Sequence, residues 1–200
     1  MVLAEIIGCV AGGIGLTQSI PQSFRLRRLG HGRGVSKVTW MLNFILNSTW
    51  IGYGIHTKSA AVTLTNSFGL FMTSSIVVVL LESNLRPKLW LPFLGLLIIY
   101  IVTLLPAQLT SALVIILTLS RVPQVLESYR NLNEPQTTAV SLHSLAISTS
   151  SLICWELFAI LEKRVVVMFT TTIALSLTLS IMILEIRGKR QRYILNSEDY

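Results

Sequence analysis

The segment Ser19-Ile20-Pro21-Gln22-Ser23-Phe24-Arg25, "SIPQSFR", closes one apolar run, and Arg121-Val122-Pro123-Gln124-Val125-Leu126-Glu127, "RVPQVLE", closes another further along. A proline inside a helix removes one amide donor and frees a carbonyl about one turn earlier, leaving a kink that neighbouring helices must accommodate. One Pro-Gln pair says little. Aligning Pro21-Gln22 with Pro123-Gln124, with three extra residues in the second loop that follows, brings Val35-Ser36 onto Val140-Ser141 and Trp50 onto Trp155. That is an internal repeat.

The surrounding composition sets the solvent. With 52% hydrophobic against 12% charged residues and a mean hydropathy of +0.68, the chain has too little polar surface to cover a water-soluble globule. It reads as an integral membrane protein whose partner is the lipid bilayer. The net charge of +7 would raise the question of nucleic acid in a soluble protein; here the basic residues fall in short connections and the tail, so no nucleic-acid partner is expected. The start, "MVLAEIIGCVAGG", has no basic leader and carries Glu5, which fits a retained first membrane helix better than a cleaved signal.

Seven apolar runs are separated by charges or breakers, at 3–24, 37–57, 60–82, 88–105, 107–130, 139–161 and 164–187. Between Lys88 and Arg121 no charge occurs at all, and Pro106 is the natural break between two spans there. Of the 16 Lys and Arg, all but Lys58, Lys163 and Arg164 fall on one side of this layout. The N-terminus is therefore expected outside and the C-terminus inside.

The expected fold class is an all-α membrane protein with seven transmembrane helices. The expected segments are a first triple-helix repeat at 1–82, a linker helix at 83–106, a second triple-helix repeat at 107–187 and a basic tail at 188–200. An odd three-helix unit needs an extra crossing if both copies are to insert the same way round, so the repeats are parallel and the fourth span is a topological linker. The basic tail should lie against anionic headgroups.

In "IPQSFRLRRLGHGRGVS", "VPQVLESYRNLNEPQTTAVS", "WIGYGI" and "TNSFGL" the chain resembles the PQ-loop superfamily, and within it the SWEET sugar transporters and the half-sized SemiSWEETs. The resemblance covers the whole 3+1+3 layout. It implies alternating access between two triple-helix bundles, with Pro21, Gln22, Pro123 and Gln124 at the gate and hinge. The second and sixth spans lack the prolines that SWEETs carry there, so either Pro21 and Pro123 supply more of the bend or these helices move rigidly.

At 1.5 Å per residue, Trp50 lies roughly 20 Å from the inner face and Asn66 about 9 Å from the outer face, which puts the two at nearly the same depth. A Trp ring offers an apolar face to the C–H side of a sugar, and an Asn amide offers donor and acceptor to its hydroxyls. Their spacing is similar to that of the SemiSWEET substrate pair. The second repeat has Trp155 and, at the Asn66 position, Thr171. Asn43 and Asn47, one helical turn apart, continue to Trp50 as a polar stripe, with Ser148, Ser151 and Trp155 as a milder counterpart. The candidate substrate residues are thus Trp50, Asn66, Trp155, Thr171 and Asn47; the alternative for Trp50 and Trp155 is a membrane-interface belt, and for Asn66 and Asn47 interhelical glue. Trp40 and Trp90 read as belt residues.

Glu156 is the carboxylate well inside a span, and so a candidate for proton coupling; the alternative is a surface pair with Lys163 or Arg164. The small residues Gly8, Gly12, Gly13 and Gly15 predict close approach of another helix to the first span. His31, His56 and His143 read as solvated loop histidines, and Cys9 and Cys154 as small buried hydrophobes. No metal constellation, cofactor motif or catalytic set is expected, hence no enzyme. The leading function is transport of a small sugar. Alternatives are a PQ-loop transporter of amino acids or other small metabolites, and a membrane receptor or assembly factor resembling the KDEL receptor. The short loops favour a plasma membrane, and association of two chains stays open.

Overall fold

The computed structural model describes residues 2–29, 32, 34–81, 85–133 and 138–198, all helix or connection with no strand among them. In order come α1 (Val2–Thr17), α2 (Ser19–Leu29), α3 (Lys37–His56), α4 (Ala60–Leu80), α5 (Leu85–Leu104), α6 (Ala107–Thr118), α7 (Val122–Arg130), α8 (Leu142–Leu161) and α9 (Val165–Glu198). Only Gln18 separates α1 from α2, and a 3-10 turn, Leu119–Arg121, joins α6 to α7. Both interruptions lie within a turn before a proline, where Pro21 and Pro123 cannot supply the amide that a continuous helix needs.

The Val-Ser pairs found in both halves of the sequence are helix starts. Ser36 Oγ accepts from Thr39 N at 3.1 Å, and Ser141 Oγ accepts from Ser144 N at 3.2 Å. Each such N-cap satisfies an otherwise orphaned donor and stabilises its helix by about 1 kcal/mol. The far ends of α3 and α8 also match. Ser59 N donates to Gly54 O and Lys58 N to Ile55 O; Arg164 N donates to Ala159 O and Lys163 N to Ile160 O. These are the paired bonds of a Schellman C-cap, with Lys58 (φ 51°) and Lys163 (φ 52°) in the left-handed position.

Packing closes six of the helical segments into a ring. α1 packs on α4, α4 on α3, α3 on α6, α6 on α9, α9 on α8, and α8 back on α1; α5 stands against α3. The close approach of α1 to α4 depends on Gly12, where a Cβ would collide with the Thr65 side chain. Gly8 and Gly15 face Phe158 and Ser151 of α8, whereas nothing lies near Gly13, so the expected role of that glycine in helix approach is corrected.

Two apolar clusters sit at opposite ends of the ring. At the end bearing Pro21-Gln22 and Pro123-Gln124, Leu26, Val35, Ile76, Leu80, Val140 and Ile181 pack together. At the other, Ala4, Tyr53, Val62, Val114, Phe158 and Val167 do so, with Trp50 and Trp155 against them. Outward faces are apolar too: Leu3, Phe68, Phe71, Leu89, Leu97 and Ile116 are exposed.

Among the described residues four helical stretches are long and apolar enough to cross a membrane: Ala60–Leu80, Ala107–Arg130, Leu142–Leu161 and Val165–Gln191. These suggest a membrane protein. α3 falls short because its polar stripe lowers its hydropathy, and α1 because it is interrupted at Gln18. Several smaller expectations need correction. Cys9 is exposed on the outer face of α1 rather than buried. His56 is half-buried at the end of α3, with Nε2 3.2 Å from Val102 O of α5. His143 is exposed, and His31 lies outside the described residues.

Candidate functional site

A central cavity of about 240 Å³ runs between the two apolar clusters, and all six ring segments contribute to its wall. The stripe of α3 faces it: Trp40, Asn43, Asn47 and Trp50 all line it, as helical spacing requires of residues on one side. Asn66 and Thr73 enter from α4, Ser148, Ser151 and Trp155 from α8, and Thr171 from α9. The expected substrate residues Trp50, Asn66, Trp155, Thr171 and Asn47 therefore share one wall-lined space. Trp40, expected as a belt residue, instead lines the cavity and packs against the cluster at the Pro-Gln end and against a further one formed by Phe44, Val77 and Leu91. Trp90 is 68% exposed on the outside of α5.

Trp50 and Trp155 are each held by an edge-to-face neighbour one turn on. Trp50 meets Tyr53 with centroids 5.1 Å apart at 84°, and Trp155 meets Phe158 at 5.3 Å and 90°. Such T-shaped pairs fix ring orientation, which a stacking surface needs. Asn47 Nδ2 donates to Asn43 O at 2.8 Å and lies 3.3 Å from Thr73 Oγ1. Asn66 Nδ2 donates to Val62 O at 2.8 Å, which leaves its Oδ1 and second N–H for a ligand.

Thr171 is committed differently. Its Oγ1 lies against the carboxylate of Glu156 and donates to it, while Thr172 Oγ1 donates to the other carboxylate oxygen at 3.0 Å. A hydroxyl has one proton, and Glu156, Val167 O at 2.9 Å and Met168 O at 3.0 Å all stand within its reach, so the Thr171 oxygen offers a ligand only lone pairs. Glu156 itself does not line the cavity. The alternative pairing with Lys163 or Arg164 is corrected: Glu156 is taken by the two threonines, and Arg164 stacks over the Phe158 ring at 5.9 Å.

The glutamines of the two Pro-Gln pairs are buried, at 3% and 6% exposure, and each reaches into the opposite half. Gln22 Nε2 donates to Ala139 O at 2.9 Å and Gln22 Oε1 accepts from Ser141 N at 2.9 Å. Gln124 Nε2 donates to Gly34 O and Gln124 Oε1 accepts from Ser36 N, both at 2.8 Å. Neither amide bonds a carbonyl freed by its own proline. Each instead pins the backbone just before the other half's N-cap serine, so the end of the cavity is latched twice by the same pattern. Ser144 Oγ adds a bond to Gln18 O at 2.5 Å, tying α8 to the interruption between α1 and α2.

Glu185 escaped sequence reasoning, and Arg121 figured in it only as a basic residue near the inner end of the fifth span. Glu185 of α9, 5% exposed, accepts from Ser128 Oγ at 2.7 Å and Thr138 Oγ1 at 2.6 Å, and Ser128 in turn lies 3.3 Å from Gln124 Nε2. Arg121, at the 3-10 turn, lines the cavity. Aligning the halves would have exposed both, because Glu185 falls opposite Leu80 and Arg121 opposite Ser19. Among the described residues no group of His, Cys, Asp and Glu could hold a metal ion.

No protein-family model matches this chain, and no curated protein sequence matches it.

Proposed function

We propose that the protein is a multi-pass transporter that carries a small polyhydroxylated solute, of the sugar class, through the central cavity by alternating access. In this reading the seven helical segments, counting α1–α2 and α6–α7 as one each, all cross the membrane as two parallel triple-helix units joined by α5. The Pro-Gln end faces the cytoplasm, because α2 and α7 carry Arg25, Arg27, Arg28 and Arg130 there.

The observation that carries the reading is one cavity that gathers Asn43, Asn47 and Asn66 with a tryptophan from each half, Trp50 and Trp155, between two apolar clusters whose members come from both halves. Opening the Pro-Gln end means releasing Gln22 from Ala139 and Ser141 and Gln124 from Gly34 and Ser36. Each such hydrogen bond contributes about 1 kcal/mol net when water replaces it, so the latch is strong enough to hold and weak enough to cycle. The interruptions before Pro21 and Pro123 supply the flexible points, since the regular α-helical ladder gives way there to tighter bonds, Gln18 N to Gly15 O and Val122 N to Leu119 O. Opening the other end separates Tyr53, Phe158 and Val114 and leaves the indoles at the mouth of the cavity.

Uptake into liposomes holding the purified protein tests this directly, with a panel of neutral sugars, sugar acids and amino acids, with and without a pH gradient. Saturable flux of a sugar-class solute is expected. Trp50→Ala combined with Asn66→Ala should lower that flux at least tenfold; unchanged flux removes the proposed site.

A further inference from the structure

The cavity holds a cation, Arg121, with no acid paired to it among the described residues. Arg121 Nη2 lies 3.5 Å from Ser148 Oγ, at the limit of a hydrogen bond, and this is its one side-chain bond among the described residues. The described carboxylates are engaged elsewhere or stand at the wrong end. Glu127 is bonded by Asn131 at 3.1 Å, Glu156 by Thr171 and Thr172, and Glu185 by Ser128 and Thr138. Glu162 caps the far end of α8. A guanidinium presents five N–H donors in a planar fork, and enclosing it without a counter-charge is unfavourable. The equivalent place in the first half is the buried Ser19, so the two-fold pattern of the fold does not require an arginine here.

The surroundings specify what would satisfy it. On the same wall Asn43 accepts from Ser120 Oγ at 3.3 Å, leaving its amide N–H groups unbonded, and Ser148 offers a hydroxyl. Ser148 and Trp155 are two turns apart on α8, about 10 Å along the axis at 1.5 Å per residue. One end of a ligand on Arg121 and the other between Trp50 and Trp155 therefore calls for an elongated molecule, anionic at one end and hydroxylated along its body.

We propose that Arg121 is the anion-binding end of the substrate cavity, and that the transported solute is a sugar acid: a polyhydroxylated chain or ring bearing one carboxylate. This rests on the transporter reading of the same cavity. The carboxylate takes the guanidinium fork in two parallel bonds, the strongest form of this recognition. The hydroxyls meet the amides of Asn43, Asn47 and Asn66 and the acceptor oxygen of Thr171, and the C–H face lies on the indoles.

The test separates binding from transport. In detergent, binding of glucuronate, gluconate, glucose and alanine is measured by calorimetry; in proteoliposomes, uptake of the same four. The expected result is binding of glucuronate or gluconate at least tenfold tighter than of glucose, reduced tenfold or more in Arg121→Gln and partly restored in Arg121→Lys. Should Arg121→Gln fail to fold, the wild-type preference and Arg121→Lys decide the matter. Tighter binding of glucose or alanine than of either acid overturns the proposal, as does acid binding unaltered in both Arg121 variants. Acid binding that depends on Arg121 without uptake of any solute supports the anion site and defeats the transporter reading; glucose uptake without acid binding does the reverse.

Discussion

The two Pro-Gln latches share every backbone bond and differ in what stands behind them. Behind Gln22 the space is filled by Leu26 and Leu80, members of the apolar cluster at that end. Behind Gln124 the corresponding places hold Ser128 and Glu185, and a chain of bonds runs from Gly34 through Gln124 and Ser128 to Glu185 and on to Thr138. Thr138 O also accepts from Arg25 Nη2 at 2.7 Å, so this chain crosses back to the first half. One latch is seated on hydrocarbon and the other on a buried carboxylate. Apolar packing is insensitive to a small displacement, whereas a directional network has to break bonds to move; the second latch is the more specified of the two.

The sharpest way to break this difference is to copy the acid into the wrong half. Leu80→Glu puts a carboxylate among Leu26, Val35 and Ile76, where no hydroxyls are placed to receive it. An uncompensated buried charge of this kind costs about 3–5 kcal/mol, and thermal unfolding in detergent should show a large loss or no folded protein. Adding Leu26→Ser should recover part of that loss; no recovery would mean that the carboxylate at Glu185 is held by something other than its hydroxyl donors.

Next in size is the loss of a latch amide. Gln22→Ala and Gln124→Ala each strand a buried Ser N–H and a carbonyl, worth about 2–4 kcal/mol together. Gln124→Ala should be the more damaging, since Ser128 also loses a partner. Equal losses in melting temperature would show that the Ser128 link carries no weight.

Smaller again is removal of the acid from the half that has it. Glu185→Leu leaves Ser128 and Thr138 without acceptors at a cost of about 1–3 kcal/mol, while Ser128→Leu with Glu185→Leu rebuilds the Leu26–Leu80 arrangement. The double variant should be more stable than Glu185→Leu alone. If it is less stable, the two sites are not equivalent in shape and the comparison fails.

Helix positions were legible in the sequence because apolar runs here end at chemical marks: serines at Ser36 and Ser141, Pro106 between α5 and α6, and prolines shortly after each interruption. The cavity-facing stripe was legible for the same local reason, since Asn43, Asn47 and Trp50 recur at helical spacing. What the sequence did not convey were pairings between helices far apart in the chain. Nothing next to Gln22 in the chain names the partners of its amide, which are at Ala139 and Ser141. Glu156 looked free to meet Lys163, yet Thr171 and Thr172 on α9 reach it first. Glu185 stands near the end of an apolar run, and nothing local shows that Ser128 and Thr138, far away in the chain, supply its hydrogen bonds. Trp40 lay at a run boundary, where position alone could not distinguish a belt from a wall.

The smallest expected effect tests how far the symmetry extends. The turns after α3 and α8 place Lys58 and Lys163 in the left-handed region, at φ 51° and 52°, with the same two C-cap bonds. An L-residue is strained there by about 1 kcal/mol, and glycine is not, although glycine also gives back roughly 0.5–1 kcal/mol through the freedom it adds to the unfolded chain. Lys58→Gly and Lys163→Gly should therefore each shift stability by less than about 1 kcal/mol, and by the same amount, because the backbone geometry is shared. The flanks differ: Ser59 Oγ accepts from Val62 N at 3.4 Å, whereas Arg164, its counterpart, stacks on Phe158. Unfolding midpoints of the two variants in one detergent and buffer make the comparison. Matching shifts would mean that backbone conformation governs these turns; a gain in one and a loss in the other would mean that the side chains after the lysine do, and that the symmetry stops at the backbone.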